Sequence, residues 1–491
     1  MHKQGTDWAI LVYISADRVL TNFAVESLKQ LKRSAGSGIV ALAQMQATGA
    51  TEAQRYIFDG TTDPNSSIEN DLQPSIRPAP SPGGIANPQN LAEFVKWAAK
   101  FEAKHQCLFL WGHGYELLLN EDGGTLSGGS REARNGANLV VRSAKAKAGQ
   151  KDVAAIGRNY LAPRSLKMAL ENAKPLVGQL DIIGIDACSL CLVELASELG
   201  DCGDFLIASQ EDVPDASFPY EQLLLKLKDH DRNDVEGICA AIPRLYGQAY
   251  QDYVVAPDTG MKEITLTSLR LKNTASITEP LTRLAASLLS SAADAVIRKK
   301  ILAARKAARD FALGLFVDLS DFCLQLSARL EDSELRSACD ALRQAIDARE
   351  RLDCILANET GDGATSRCHG LSIYFPYLTQ AEMEQTSQSL TAATSTLEQA
   401  PLLLKGGTNH ILKARSVQIS QIEGDFESLA EFKKTNWSAF IKHGWSVILA
   451  SEEPNELDVH YSGEQCAINL LSLVQTYAQS HPEMAAVAAK A

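Results

Sequence analysis

"DIIGIDACSL" (residues 181–190) is the stretch whose reading decides the fold. An isoleucine-rich run stops at Asp186-Ala187-Cys188, and a helix-like pattern, "LCLVELASELG", follows. A continuous apolar run bounded in this way suits a strand buried on both faces, as in a parallel sheet. "WAILVYIS" (8–15), "IVALAQMQA" (39–47), "CLFLWGHG" (107–114) and "DFLIASQED" (204–212) read the same way, with a short strand at "RYIFDG" (55–60). Amphipathic segments at 22–36, 90–105 and 163–174 lie between them. Alternating strands and helices imply an α/β domain with a mostly parallel, helix-covered sheet over residues 1–230.

Beyond residue 230 the pattern turns mainly helical, over 233–254 and 273–356. "ITLTSLRL" (264–271) and "HGLSIYFPYL" (369–378) read as strands that complete or flank the core. Residues 231–380 are therefore assigned as one region, and 381–491 as an α+β extension. That extension has strands expected at "ARSVQISQI" and "GWSVILA".

The chain has 491 residues, is 45% hydrophobic and 22% charged, and carries a net charge of −13. A core of ordinary size is permitted. An acidic chain without a basic face argues against nucleic-acid binding. The N-terminus lacks the layout of a signal peptide, and no apolar window reaches membrane-spanning length, so a cytoplasmic protein is expected. Ten scattered cysteines are then expected to be reduced. Cys188 and Cys191 form a C-x-x-C without a second pair, which disfavours zinc and leaves a redox pair as one reading.

Ligands of open parallel sheets bind at the carboxyl ends of the strands. Two predicted strands end there in reactive residues, Gly112-His113-Gly114 and Asp186-Ala187-Cys188. Neighbouring strands lie about 4.8 Å apart, so His113 and Cys188 can face each other. A thiolate attacks a carbonyl, and a histidine takes the thiol proton and returns it to the leaving amine. The amides of Gly114 and Cys188 are placed to form an oxyanion hole. A helix expected directly after Cys188 favours the anion further. Read from the residues alone, Cys188 as an inert core cysteine remains open.

"WAILVYISAD", "FLWGHG", "IIGIDACSL", "ELASELGDCGDFLIASQE" and "FPYEQLL" together resemble the clostripain-like cysteine peptidases, relatives of caspases, gingipains, legumain and separase. The resemblance runs from about residue 7 to 228. It continues weakly in "FVDLSDF" (316–322), "GLSIYFPY" (370–377) and "NWSAFI" (436–441). It implies a caspase-like α/β/α fold, a Cys188/His113 dyad and cleavage after Arg or Lys. It also implies that Asp186, two residues before the nucleophile, belongs to the S1 pocket. The family's pattern after the next strand, S-E-E-x-x-P-G-D-G-W-x-Y, meets "SQEDVPDASFPY" (209–220) here. Phe218 stands where Trp is usual and Ala216 replaces the acid, leaving Asp215 or Asp212 as the second carboxylate of the pocket.

Residues 115–160 form a long, Gly-rich, basic segment between the two reactive strand ends. Relatives carry a cleavable linker there. Arg131, Arg134, Arg142, Lys145, Lys147, Lys151 and Arg158 are its candidate cut sites, with "NLVVRS" (138–143) as a short strand. The expectation is a regulated intracellular zymogen, activated by itself or by another protease and acting on peptides or proteins with Arg or Lys at P1. A regulatory partner fits the same role. No cofactor is required; calcium serves some relatives, but no EF-hand loop is present. The alternative reading is a catalytically silent interaction protein on the same fold.

Overall fold

The computed structural model describes residues 6–16, 20–47, 52–74, 87–114, 161–251, 264–376 and 426–450, apart from single positions at 313, 332, 351, 362 and 427. Eleven strands are described: β1 Trp8–Ala16, β2 Ile39–Ala47, β3 Gln54–Phe58, β4 His105–Trp111, β5 Leu180–Asp186, β6 Gly203–Ala208, β7 Thr265–Arg270, β8 Asp310–Phe311, β9 Phe316–Asp318, β10 Ile355–Thr360 and β11 Ser372–Tyr374. Eight of them make one sheet in the order β10-β7-β6-β5-β4-β1-β2-β3. The inner five, β6-β5-β4-β1-β2, run parallel. Antiparallel β3 closes one side; on the other, β7 pairs antiparallel with β6, and β10 pairs antiparallel with β7 and so runs with the inner strands. The sheet thus continues past residue 230. The carboxyl ends of β1, β4, β5 and β6 share one rim, as the reactive strand ends require.

Every residue of β1 is buried, which is why its sequence is apolar without alternation. Its two faces still separate. Trp8, Ile10, Val12 and Ile14 pack with Phe109 and Ile182 on one side, while Ala9, Leu11 and Tyr13 pack with Leu108 and Ile183 on the other. The first face is covered by α1 (Thr21–Ser34), and the second by α2 (Pro88–Ala98) and α3 (Pro163–Val177). Beyond α4 (Val193–Glu198), the first face is completed by α5 (Tyr220–Asp229) and α6 (Val235–Ala249). Each covering helix presents apolar residues at helical spacing, such as Ala24, Leu28 and Leu31 of α1. The result is an α/β/α sandwich.

On the second face the core runs on into a three-stranded antiparallel sheet, β11-β9-β8, and its helices. Residues 426–450 join the same core. Phe375 meets Trp437 at 5.3 Å and Trp445 at 4.6 Å between ring centroids, and Trp445 Nε1 donates to the Pro376 carbonyl at 2.6 Å. The expected strand "GWSVILA" is helical instead, with a π-helical turn at Phe440–Trp445 leading into Ser446–Ala450. Phe440, Trp445 and Ile448 are buried at 0%, 0% and 1% exposure. Packing these three onto the core fits a helical spacing, and that outweighs the strand preference of Val447 and Ile448. "ARSVQISQI" and "NLVVRS" lie outside the described residues.

Candidate active site

Strands β4 and β5 bring the first two candidates together. Trp111 and Asp186 are register partners, and the Gly112 amide extends the ladder to the Asp186 carbonyl at 3.2 Å. His113 and Cys188 therefore lie two residues past a paired position on adjacent strands, and both are part-exposed. Gly114 seals the join. A Cβ on it would stand 2.3 Å from the Cys188 carbonyl oxygen and 2.5 Å from the Cys188 nitrogen. Only a residue without a side chain permits this approach. The Gly114 amide donates toward the Cys188 sulfur.

The chain after Cys188 departs from expectation. Helix α4 starts at Val193, five residues on, and is six residues long. Between them Ser189 adopts a left-handed φ of 56°. The amides of Ser189, Leu190 and Cys191 donate to the carbonyls of Glu211 and Ser209 at 3.1, 2.9 and 2.8 Å. These donors are spent on the neighbouring loop, so no helix end stabilises a thiolate here. The turn is what aims Cys188 out of the sheet.

That neighbouring loop covers the thiol. The Val213 amide donates to Cys188 Sγ at 3.3 Å, and the sulfur faces the Val213 carbonyl at 3.9 Å. Burial pushes the thiol well above its ordinary pKa, and the Asp212 carboxylate adds to the rise against the Val213 and Gly114 amides. Asp212 is exposed as a residue, yet its carboxyl, bonded to Cys188, is raised by desolvation against the pull of Arg309. The loop is anchored on three sides. Gln210 Nε2 donates to Asp318 and Ser372 at 3.0 and 2.9 Å, and Ser209 and Thr265 share a hydroxyl bond at 2.8 Å. Glu211 pairs with Arg309.

Asp186 sits beneath the cleft at 3% exposure. Its Oδ2 accepts from Ser217 Oγ, from the Tyr220 hydroxyl at 2.7 Å and from the Phe218 amide at 3.2 Å. Burial raises its pKa to about 6, and the three donors hold the rise there. A hydrogen bond to a charged group is worth about 1.5–3 kcal/mol, so three of them offset much of the cost of an enclosed carboxylate. Asp215 stands exposed in the turn that the Ser217 amide closes onto the Pro214 carbonyl. Ser217, Tyr220, Trp111 and Tyr250 around Asp186 were not legible as site residues. They are spread over 140 positions of the chain, and the sequence offers Phe218 and Tyr220 only as positions of the family's pattern after the next strand.

Cys191 is fully buried and its thiol donates to the Gly370 carbonyl at 3.0 Å. It faces away from the cleft, which counts against the redox pair. Among the described residues all nine cysteines are free thiols. No group of three or more His, Cys, Asp or Glu among them is arranged to hold a metal ion. No described helix is long and apolar enough to cross a membrane. The seven candidate cut sites all lie outside the described residues.

The model of the clostripain family matches residues 144–445, which is 302 of the 491 positions and includes Asp186 and Cys188 but not His113. No curated protein matches the chain. Among solved structures, an inactive zymogen C11 protease from Parabacteroides distasonis is similar with a TM-score of 0.50 and 16% identity, covering 77% of this chain and 94% of that one. A secreted C11 cysteine protease from Bacteroides thetaiotaomicron, in complex with an irreversible peptide inhibitor, gives 0.49 and 16%, covering 75% and 92%. At such identity the first likeness speaks for the fold.

Proposed function

The chain belongs to the clostripain family and is a cysteine-type endopeptidase, and we propose that it cuts after Arg or Lys with Cys188 as nucleophile and His113 as general base and acid. The observation that carries the dyad is the contact of Gly114 with the Cys188 backbone. It ties the end of β4 to the end of β5, which supports a His113 side chain within reach of the thiol.

In this reading His113 takes the thiol proton and the sulfur attacks the scissile carbonyl carbon. The oxyanion accepts from the amides of Gly114 and Cys188. Collapse breaks the C–N bond as His113 protonates the leaving amine, and water then hydrolyses the thioester with His113 as base. Asp186 is the proposed P1 partner, a carboxylate enclosed enough for a cation to gain from meeting it.

The resting enzyme is proposed to be a weakly active precursor, matured by a cut among Arg131, Arg134, Arg142, Lys145, Lys147, Lys151 and Arg158. The enclosed, protonated thiol under Val213 supports this. A cytosolic place of action belongs to the same proposal. An activating protease or a regulatory partner fits a precursor of this kind.

The test is hydrolysis of paired fluorogenic peptides with Arg, Lys or Asp at P1, by wild type, Cys188→Ala and His113→Ala, before and after limited trypsin treatment. Cleavage after Arg or Lys that disappears in both variants is the expected result. Preference for Asp, or activity that survives Cys188→Ala, refutes the assignment. Full activity of the uncut chain refutes the precursor alone.

A further inference from the structure

The two oxygens of Asp186 meet different surroundings. Oδ2 is saturated by the Ser217 and Tyr220 hydroxyls and the Phe218 amide. Oδ1 is just as enclosed but has no hydrogen-bond partner among the described residues. An enclosed carboxylate oxygen left bare costs free energy unless something arrives to bond it.

The donors on Oδ2 are themselves fixed. Ser217 Oγ accepts from Trp111 Nε1, and the Ser217 carbonyl accepts from the Tyr250 hydroxyl. Ser217 holds a left-handed φ of 71°, a conformation that is costly for a non-glycine residue and persists only where its surroundings impose it. Tyr220 packs edge-on against Phe109 at 5.5 Å. These contacts leave the carboxylate one orientation.

We propose that Ser217 and Tyr220 are positioning residues for the P1 cation: by saturating Oδ2 they present Oδ1 as the acceptor for the substrate's guanidinium or ammonium group. The inference rests on the reading of Asp186 as the P1 acid and adds to it how that acid is aimed. Tyr220 is the titratable side chain bonded to Asp186. Burial foremost, and then the Asp186 charge, hold it well above its ordinary range, so it stays a donor wherever Asp186 titrates. Among the described residues no other charged side chain shifts the Asp186 carboxyl.

The experiment uses the full chain after trypsin treatment, with the trypsin then inactivated by a serine-selective reagent. Ser217→Gly, Tyr220→Phe and Asp186→Asn are compared with wild type on one peptide bearing Arg at P1 and its twin bearing citrulline, a neutral isostere. KM and kcat are measured from pH 5 to 9. Glycine suits the left-handed position, and phenylalanine keeps the ring, so at least one variant retains the fold; thermal melts verify it. Removal of one donor is expected to raise KM for the Arg peptide about tenfold or more at pH 6.5. Values for the citrulline peptide should change less than about twofold. The acid limb of kcat/KM for Arg, near pH 6 in wild type, should move upward in Tyr220→Phe. Equal loss on both peptides, or an unmoved acid limb, overturns the positioning role. Should Asp186→Asn leave the Arg preference intact, the P1 reading itself fails. Should it abolish the preference while both other variants keep it, only the positioning role fails.

Discussion

Replacing Gly114 by alanine tests the geometry of the cleft most directly. The new methyl would lie 2.3 Å from the Cys188 oxygen, 2.5 Å from its nitrogen and 2.9 Å from the Ala187 carbonyl carbon. Ordinary contact begins near 3.4 Å, so the two strand ends must part by about 1 Å. All three obstructing atoms are backbone, and no side chain can swing aside. The Gly112 amide bond to the Asp186 carbonyl, already 3.2 Å, lies directly upstream and resists the movement. A displacement of about 1 Å between reacting groups costs roughly 100-fold in rate, or about 2.7 kcal/mol of barrier. Overpacking of this kind costs about 1–3 kcal/mol of stability. Steady-state hydrolysis of an Arg peptide should show kcat/KM down about 100-fold, with the melting temperature lowered by only a few degrees. Gly200→Ala is the control, since its nearest atom would be 3.8 Å away. Retention of kcat/KM within about threefold in Gly114→Ala would refute the close approach of β4 and β5 as the basis of the site.

Iodoacetamide should label Cys188 in the uncut chain at pH 7 at least about tenfold more slowly than a free cysteine, because burial keeps the thiol protonated; equal rates, read by mass spectrometry of the labelled peptide, would contradict the covered thiol. Glu194 is fully buried, one of its oxygens accepts from the Tyr374 amide at 2.7 Å, and burial lifts its pKa to about 8. A raised carboxyl holds its proton in the fold longer than in the unfolded chain, so its contribution is present below about pH 4.5 and is lost as pH rises through 8. The melting temperature should fall over that window in wild type, and Glu194→Gln should flatten the fall. Lys32 and Asp71 form an ion pair with side chains 2% and 3% exposed. Lys32→Met should cost about 3–5 kcal/mol by denaturant unfolding, and the double change Lys32→Met/Asp71→Leu should recover most of it. With a single oxygen of Asp186 left without a hydrogen-bond partner among the described residues, the two-pronged advantage of arginine is absent. Arg and Lys peptides should therefore differ in kcat/KM by less than about tenfold.

The inner strands of the central sheet were legible because they are buried on both faces, and burial forces near-continuous apolar runs such as Trp8–Ala16; the half-buried edge strand β10 carries no such run and was not legible. The rim followed from the same fact, since a parallel strand's carboxyl end is where its apolar run stops. Cys188 was therefore found by position, but its surroundings were not. The turn at Ser189 depends on carbonyls of Ser209 and Glu211, well downstream in the chain, and no local pattern announces it. The misread strand at "GWSVILA" has the same origin: its apolar residues suit either period, and only the Phe375 surface it packs on decides between them. The network under Asp186 joins Trp111, Ser217, Tyr220 and Tyr250, which only the folded sheet makes neighbours.

The adjacency of β4 and β5 has a consequence for any break in the backbone between them. Strands β1 to β4 precede residues 115–160 and β5 to β11 follow them, yet the two sets meet along a parallel ladder from Cys107↔Ile182 to Trp111↔Asp186. Each half buries its side of that seam in the same two cores. A nicked molecule would thus remain a single particle of two polypeptides, separable on a denaturing gel but not on a sizing column. The halves, expressed from separate genes, should reconstitute the cleft by complementation.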